Sequence, residues 1–419
     1  MKQSKYNVRF NIEKDIEIIY NTLSKKYFTY SSNDQDSINI LLENLRKDKY
    51  DLKEIEILKE LISKEIIIND DIDEFELIKF KEVNARFGDQ VFYLTLQPTL
   101  DCNFRCTYCY EEHKNSTLDD DTVEKLLKFV DNITKRVNRL EVGWFGGEPL
   151  LQIDKIIDLT NKFKEICKRN KCDYRALMTT NGYLLSDRII EQIDNLCIKN
   201  IQITLDGPER CHDKQRPLID GTGTFHKIKE NVLNLLSKNV NLVLRINITK
   251  EIYPHIHEVF DIIPKEKRKN VTVQLSNLMQ DKNKMNLFEI YKIAIDKGFK
   301  PFQSFSTATC SCEAGFKNSF IIEPNGIVSP CSGGSEDGLQ FGELDYSGNI
   351  KFKNKGAYYK FKNTSPLNSD KCRKCIQLPM CMGGCLYSRY KNPDICNGLL
   401  PDGLSLHDKI RLHYYRDLI

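Results

Sequence analysis

The chain has 419 residues, of which 40% are hydrophobic and 29% are charged, so it can bury a sizeable core and is not a disordered polymer. Its 62 Lys and Arg against 59 Asp and Glu leave a net charge of +3, which argues against a dedicated nucleic-acid binder. The sequence has no apolar run of about 18 residues, so it predicts no membrane span. The charged N-terminal stretch predicts a cytoplasmic protein.

The fifteen cysteines are the unusual feature of the composition. In a long chain without a signal peptide, cysteines more often indicate metal, cluster or redox chemistry than disulfides. At ~150 residues per domain, the length predicts roughly two to four domains. The sequence divides into three, at residues 1–88, 89–300 and 301–419.

The first region, residues 1–88, contains no cysteine. We expect strands in YNVRFNI, EIIYNT and YFTYS, helices in DSINILLENLRK and LKEIEILKELISK, and a last strand in FELIKF. These elements predict a small winged-helix-like module. The alternative is an N-terminal extension with no function of its own.

The second region, residues 89–300, alternates apolar strand-like runs with helical patterns. The strand-like runs are residues 91–97, 140–145, 174–180, 201–205, 242–248 and 271–277. Helical patterns lie near 119–136, 152–169, 186–197, 226–238, 253–262 and 286–298. The alternation predicts an α/β fold of parallel βα units, either a partial (β/α)6 barrel of the TIM type or an open sheet. In both, functional groups belong at the C-terminal ends of the strands.

The third region, residues 301–419, is irregular and rich in Gly, Cys, Asn and Pro up to about residue 396. FIIEPNGIVSPC predicts a hairpin that turns at Pro324-Asn325-Gly326. The remaining loops cannot bury enough apolar surface alone, so we expect cross-links to hold them.

Directly after the first strand of the second region, TLDCNFRCTYCYEE places Cys102, Cys106 and Cys109 in one short loop. Three thiolates can bind three irons of a [4Fe–4S] cluster and leave the fourth iron open. Zinc is the alternative, but a structural zinc site requires four ligands. The C-x3-C-x2-C spacing, with Tyr108 before the last cysteine, resembles the cluster motif of the radical S-adenosylmethionine (radical SAM) enzymes.

Segments at the ends of the next three strands support this resemblance. Gly146-Gly147-Glu148-Pro149 resembles the family's glycine-rich segment, whose backbone and carboxylate meet the methionine amino group. Asn181, in Thr179-Thr180-Asn181-Gly182, lies where the family often contacts the ribose. The fourth strand is followed by a pattern of the subfamily that modifies peptides and proteins, with implied cofactor-binding residues Thr204, Asp206 and Arg216. His212 and Asp213 could orient Arg216.

The resemblance implies that the open iron chelates S-adenosylmethionine. An electron from the reduced cluster then splits the cofactor, and the 5′-deoxyadenosyl radical takes a hydrogen atom from the substrate. A reduced flavodoxin or ferredoxin is the implied electron donor. A non-catalytic electron carrier and a zinc-scaffold binding protein are the rivals, but neither would need the glycine-rich and strand-end segments.

The cysteines of the third region form a seven-cysteine pattern that is similar to the SPASM domain, which carries two auxiliary [4Fe–4S] clusters. By resemblance, the nearer cluster is bound by Cys312, Cys331 and Cys385. The outer cluster is then bound by Cys372, Cys375, Cys381 and Cys396. We expect Cys310 to be the fourth ligand of the nearer cluster, with an open iron as the alternative.

Residues 1–88 resemble the RiPP recognition element, which would bind a leader peptide as an added strand. The implied substrate is a ribosomally made precursor peptide, and the implied reaction is a thioether link from a cysteine sulfur to a carbon. The alternatives are carbon–carbon or carbon–oxygen cross-linking, epimerisation and anaerobic sulfatase (formylglycine) maturation. Ser332 weakens the last, because sulfatase maturases have an acidic residue there.

Cys167, Cys172, Cys197 and Cys211 are expected to be structural. Cys167 and Cys197 lie in helical segments with apolar neighbours, where a free thiol behaves as a small hydrophobe. The single tryptophan, Trp144, lies two residues before the glycine pair and is expected in the core.

Overall fold

The computed structural model describes residues 1–278, 284–301, 312–396 and 403–418. Its strands are β1 (Lys2–Gln3), β2 (Asn7–Glu13), β3 (Ile16–Asn21), β4 (Tyr27–Ser31), β5 (Ile67–Ile68), β6 (Val91–Leu96), β7 (Arg139–Trp144), β8 (Asp173–Thr180), β9 (Ile198–Thr204), β10 (Asn241–Ile248), β11 (Val271–Asn277), β12 (Lys300–Pro301), β13 (Ser319–Ile322), β14 (Ile327–Ser329), β15 (Gly342–Leu344) and β16 (Ile350–Phe352).

The helices are α1 (Gln35–Glu43), α2 (Leu52–Ser63), α3 (Glu74–Phe87), α4 (Asp120–Thr134), α5 (Ile153–Arg169), α6 (Asp187–Gln192), α7 (Glu209–Gln215), α8 (Phe225–Leu235), α9 (Ile256–Phe260), α10 (Phe288–Asp296), α11 (Ser332–Glu336), α12 (Lys355–Lys362), α13 (Asp370–Arg373), α14 (Leu378–Cys381), α15 (Leu386–Lys391) and α16 (Leu406–Asp417). No helix of the described residues is long and apolar enough to cross a membrane.

One large mixed sheet organises the chain, with the strand order β12-β11-β10-β9-β8-β7-β6-β13-β14-β15-β16. Strands β6 to β11 are parallel and lie in chain order, with helices α4 to α9 in the connections between them and α10 after β11. The predicted partial (β/α)6 barrel is therefore confirmed. Alternate side chains such as Leu94 and Val142, which are paired in register, are buried in the core.

The helices cover the outer side of this sheet through aromatic and aliphatic contacts. Phe92 of β6 packs edge-on against Phe129 of α4, at 5.7 Å between ring centroids. Trp144 of β7 is fully buried and stacks on Phe163 of α5, so its expected core position is confirmed. This packing fixes the strand ends from which the loops of the site emerge.

The predicted hairpin of the C-terminal region is present and extends the barrel sheet. Strand β13 pairs parallel to β6 and antiparallel to β14, and Gly326 in the turn has a φ of 78°. Because β13 continues the barrel edge, the C-terminal cysteine region is joined to the barrel by backbone hydrogen bonds as well as by side chains.

The N-terminal module contains a three-stranded antiparallel sheet of order β2-β3-β4 between two helical layers. On one face, Ile19 and Phe28 pack against helices α1 and α2. On the other face lies the last helix, α16, where the Tyr20 hydroxyl is 2.9 Å from His413 Nδ1. Helix α16, at the C-terminal end of the sequence, thus covers one face of the sheet formed by the N-terminal residues.

The strand predicted in FELIKF is wrong, because these residues belong to the helix α3. Asp73 caps this helix by accepting hydrogen bonds from the backbone N–H groups of Phe75 and Glu76. Its buried face is a stripe that includes Glu82 and Arg86, which form a buried ion pair with a 2.9 Å contact. Two of the four buried positions of the helix are thus charged side chains in contact with each other. Because these positions are not apolar, the sequence does not show the apolar repeat that predicts a helix.

We predict that His413 makes stability depend on pH. Burial lowers its pKa from 6.5 to about 4, whereas the unfolded chain binds this proton near its ordinary pKa of ~6.5. The unfolded state therefore binds more protons between these values, and the stabilisation is complete above pH ~6.5 and lost as the pH falls towards ~4.

The measurement is the thermal unfolding midpoint between about pH 7 and about pH 5. The parent chain should lose more stability over this interval than His413→Gln. The control is His226→Gln, which replaces an exposed histidine and should follow the parent. Parallel curves for the parent and His413→Gln would contradict the prediction.

Candidate functional site

Cys102, Cys106 and Cys109 lie in the loop that leaves the C-terminal end of β6, as predicted from the sequence. Cys102 is buried, and its sulfur accepts a hydrogen bond from the backbone N–H of Phe104 at 3.4 Å. The amide of Asn181 lies 3.9 Å from the same sulfur. The loop is thus held against the end of the third barrel strand.

The glycine pair after β7 packs directly against the cysteine loop. The Gly147 N–H donates to Thr99 O at 3.2 Å, and the Glu148 N–H donates to Asp101 O at 2.8 Å. A Cβ on Gly147 would lie 2.1 Å from Asp101 O, and one on Gly146 would lie 2.4 Å from Thr99 O. Both glycines are therefore required by the close approach of the loop backbone, whatever ligand they also meet.

The carboxylate of Glu148 is fully buried and is bound by the segment that follows β8. It accepts hydrogen bonds from the Thr180 hydroxyl and the Asn181 N–H, both at 2.7 Å. It also accepts one from the Leu150 N–H at 3.0 Å. Burial raises the pKa of Glu148, and the three donors oppose this rise.

A second buried network surrounds the hydroxyl of Tyr108, between two cluster cysteines in sequence. This hydroxyl donates to Asp206 Oδ2 and accepts from Arg216 Nη1 at 2.7 Å and from Asn247 Nδ2 at 3.0 Å. Arg216 also pairs with Asp206 at 3.9 Å, and Asp206 has no exposed surface. The network connects the cysteine loop to the ends of β9 and β10.

Asn247 belongs to this network but was not identified from the sequence. Its backbone N–H donates to Asp206 Oδ1 at 2.7 Å. The available signal was a polar residue at the C-terminal end of the buried run LVLRINI. Thr204 lies at the end of β9, where it pairs in register with Arg245.

His212 and Asp213 belong to helix α7, which ends next to Arg216, and the Arg216 N–H donates to His212 O at 2.8 Å. His212 Nδ1 accepts a hydrogen bond from the Asp206 N–H at 3.0 Å. Burial, with the charge of Arg216, lowers the pKa of His212 well below its ordinary value, so it is neutral. Asp213 accepts from the N–H groups of Thr224 and Phe225 at the start of α8.

The electrostatics of the cysteine loop suit a bound cationic centre. Burial raises the pKa of the Cys102 thiol to about 12, and it raises those of Cys106 and Cys109. Arg216 favours the thiolates of Cys106 and Cys109. Metal ions would supply the remaining stabilisation, because coordination deprotonates a thiol.

The inner surface of the barrel contains a cavity of about 170 Å³, with Glu141, Thr179 and Glu313 in its wall. Burial raises the pKa of both carboxylates, and Glu141 raises that of Glu313 further. Such a space, lined by strand residues of the barrel, is suited to a substrate segment.

A pair of carboxylates, Glu111 and Glu336, lies between the cysteine loop and the C-terminal region. Burial raises the pKa of Glu111 to about 7, with a further rise from the charge of Glu336. The Tyr110 hydroxyl is 3.5 Å from Ser332 Oγ, so Ser332 faces the cysteine loop.

The C-terminal cysteines form two sets in the described residues. The pKa of Cys381 is raised by burial and by the charges of Cys372, Cys375 and Cys396. The pKa of Cys331 is raised by burial and by the charge of Cys385. Cys312 and Cys331 both pack against the main core.

The two ligand sets expected from the sequence stay a prediction, which these charge interactions support. Cys310 lies outside the described residues. Within them, no three His, Cys, Asp or Glu side chains form a group that could hold a single metal ion. In a four-iron cluster each thiolate binds its own iron. Whether these cysteines can hold a cluster therefore depends on how many thiols are present and how their charges interact. Three thiols in the first loop and seven in the C-terminal sets provide these donors.

The four remaining cysteines have different surroundings. Cys167 and Cys172 are buried in the main core and interact with each other. Burial, together with the interaction with Cys172, raises the pKa of Cys167 to about 12. Cys197 and Cys211 are partly buried and pack against the same core. These contacts fit the expected structural role.

A known family model matches part of the barrel. The model of the radical SAM superfamily matches residues 96–263. The radical SAM cyclopropyl synthase TigE of Paramaledivibacter caminithermalis is 26% identical over 79% of this chain and 76% of its own length. A cysteine-type anaerobic sulfatase-maturating enzyme of Clostridium novyi is 26% identical over 71% of this chain and 87% of its own.

Among solved structures, Streptococcus suis SuiB bound to its precursor peptide SuiA has a similar fold. It superimposes with a TM-score of 0.52 at 17% identity, covering 92% of this chain and 98% of SuiB. At this identity the likeness describes the fold alone.

We predict that Glu148→Gln destabilises the chain by about 1–3 kcal/mol. The new amide group would place N–H donors against the donors of Thr180 and Asn181. Chemical unfolding of the cluster-free chain measures this difference. Glu112→Gln is the control, because Glu112 is exposed in the neighbouring loop. An unchanged free energy of unfolding for Glu148→Gln would contradict the prediction.

Proposed function

Because residues 96–263 form a radical SAM domain, we propose that the chain is a maturase that modifies a ribosomally made precursor peptide. The observation that carries this proposal is the convergence of three features at the strand ends. These are the cysteine loop, the Glu148 junction and the Tyr108 network. Two further cysteine sets lie in the C-terminal region.

When bound, a [4Fe–4S] cluster and S-adenosylmethionine supply one-electron chemistry that removes a hydrogen atom from the substrate. Cys102, Cys106 and Cys109 would hold the cluster. Gly146, Gly147, Glu148, Asn181, Thr204, Asp206 and Arg216 would surround the cofactor, with Tyr108 orienting the loop. The chain's contribution is to hold the cofactor near the peptide and to exclude water.

Peptide modification is supported by two of the similar proteins and by the N-terminal module. SuiB is bound to a precursor peptide in its structure, and another relative is a sulfatase-maturating enzyme. We propose that residues 1–88 bind the leader as an added strand at β4, an outer strand of the module's sheet. The tethered leader would raise the concentration of the remaining peptide at the barrel.

The two C-terminal cysteine sets would hold two auxiliary [4Fe–4S] clusters. With them, thioether formation is the reaction that we favour. The peptide carbon gives up a hydrogen atom, a cysteine thiol gives up a proton, the C–S bond forms, and the remaining electron passes to an iron–sulfur acceptor. The product therefore lacks two hydrogen atoms per link.

Sulfatase maturation is the second candidate, favoured by the sulfatase-maturating relative. Against it, Ser332 stands where we expect an acidic residue, although Glu336 follows in the same helix. A reduced flavodoxin or ferredoxin is the proposed electron donor, in an oxygen-poor cytoplasm.

Replacing Cys102, Cys106 and Cys109 together by alanine should abolish cleavage of S-adenosylmethionine and leave the auxiliary clusters visible in the absorption spectrum. The reason is that only these three thiols bind the cofactor-activating cluster. The measurement is 5′-deoxyadenosine release by the anaerobically reconstituted chain. Cys197→Ala is the control. Zinc without iron in the parent chain would contradict the assignment.

Incubation with a candidate precursor peptide should yield a product lighter by two hydrogen atoms per link. Mass spectrometry after anaerobic reaction measures the change, and thiol alkylation shows whether a cysteine was consumed. Unchanged mass with deuterium uptake from solvent would indicate epimerisation. A cysteine-independent loss of the same mass would indicate another cross-link, and both would overturn the thioether.

A further inference from the structure

Arg389, in helix α15, contacts Cys372 of the outer cysteine set. It is 2% exposed. Its Nη1 donates to Pro393 O at 2.7 Å, and its Nη2 donates to Gly383 O at 3.2 Å and Ile395 O at 3.0 Å. The same Nη2 is 3.6 Å from Cys372 Sγ. One guanidinium therefore contacts three segments. These are the segment that carries Cys372, the turn before Cys385, and the segment that leads to Cys396.

The charge of Arg389 has no carboxylate partner among the described residues. The other buried arginines there each have one: Arg86 pairs with Glu82, Arg216 with Asp206 and Arg268 with Asp261. In addition, Nε of Arg389 has no hydrogen-bond acceptor. A buried cation is costly unless an anion compensates it. Among the groups that its guanidinium contacts, the sulfur of Cys372 is the one that would carry negative charge as a ligand of the proposed cluster.

The backbone is shaped to admit this guanidinium. Gly383 has a φ of 88°, and a Cβ there would lie 3.0 Å from Arg389 Nε and 2.8 Å from Pro366 Cβ. The preceding Met382 is buried and has a φ of 41°, a region that non-glycine residues rarely adopt. A strained conformation of this kind persists only where the surroundings enforce it, and it often marks a functional site.

A second buried donor borders the same loop from the N-terminal module. Tyr6 is 1% exposed, and its hydroxyl has no hydrogen-bond partner among the described residues. Its ring belongs to the apolar cluster against which Cys372 packs. The nearby Thr22 hydroxyl donates to Ile376 O at 2.7 Å, next to Cys375. The Tyr6 hydroxyl and Arg389 Nε are thus two buried donors without acceptors, and both lie beside the outer cysteine set.

We propose that Arg389 is a positioning residue that balances the negative charge of an iron–sulfur cluster on Cys372, Cys375, Cys381 and Cys396. This inference rests on the outer auxiliary cluster of the proposed function. Four thiolates with the cluster sulfides outweigh the charge of the irons, so the cluster is anionic. A buried cation beside it favours both its retention and its reduction, because net charge and hydrogen bonds to sulfur set cluster potentials.

The test compares Arg389→Met with Arg389→Lys, which have similar length and differ in charge. Both are made in the chain that lacks Cys102, Cys106 and Cys109, so that only auxiliary clusters contribute. After anaerobic reconstitution, iron, sulfide, the electron paramagnetic resonance spectrum and the midpoint potential are measured. We expect the methionine variant to lose about half of the iron, one cluster of two. The lysine variant should retain it.

Arg268→Met is the matched control, because it removes a buried arginine far from the cysteines and should leave iron content and potential unchanged. Circular dichroism of each variant reports folding. Equal iron and equal potential in the parent and both Arg389 variants would overturn the proposal, as would equal loss in both. The readout is metal and potential, so it is independent of whether a peptide is modified.

Discussion

A single buried carboxylate joins the three strand-end loops of the site. Glu148 leaves the end of β7, accepts hydrogen bonds from Thr180 and Asn181 after β8, and through its own N–H is bonded to Asp101 beside Cys102. A buried carboxylate is costly unless donors surround it, so these hydrogen bonds favour joint ordering of the three loops. The cysteine loop is consequently positioned by the protein itself.

The barrel and its motifs were predictable because their signals are local. The barrel strands alternate buried apolar residues with less buried ones, and the motif residues follow these strands directly, so parallel pairing brings them to one edge. Asn247 was missed because its role depends on contact with Tyr108, which lies 139 residues away. Helix α3 was missed because its buried stripe includes Glu82 and Arg86, whose burial depends on their mutual ion pair and on hydrogen bonds to residues far along the chain.

The contacts between the N-terminal module and the C-terminal cysteine region could not be read from the sequence at all. Thr22 is bonded to Ile376, and Arg86 donates to the carbonyls of Gly315 and Lys362. These contacts connect residues hundreds of positions apart, and no periodicity encodes them. The domain boundaries at residues 88 and 300 stay predictions, and the described contacts join the module to the cysteine loops without an extended linker.

The hydrogen bond between Tyr20 and His413 also sets an order on biosynthesis. The two residues are 393 positions apart, and at roughly 5–20 residues per second the ribosome needs roughly 20 to 80 s to make the intervening chain. Throughout this time one apolar face of the first sheet is without the helix that covers it. The face that carries Tyr20 is therefore completed only after the last helix has been made, so the N-terminal module reaches its final packing late in synthesis.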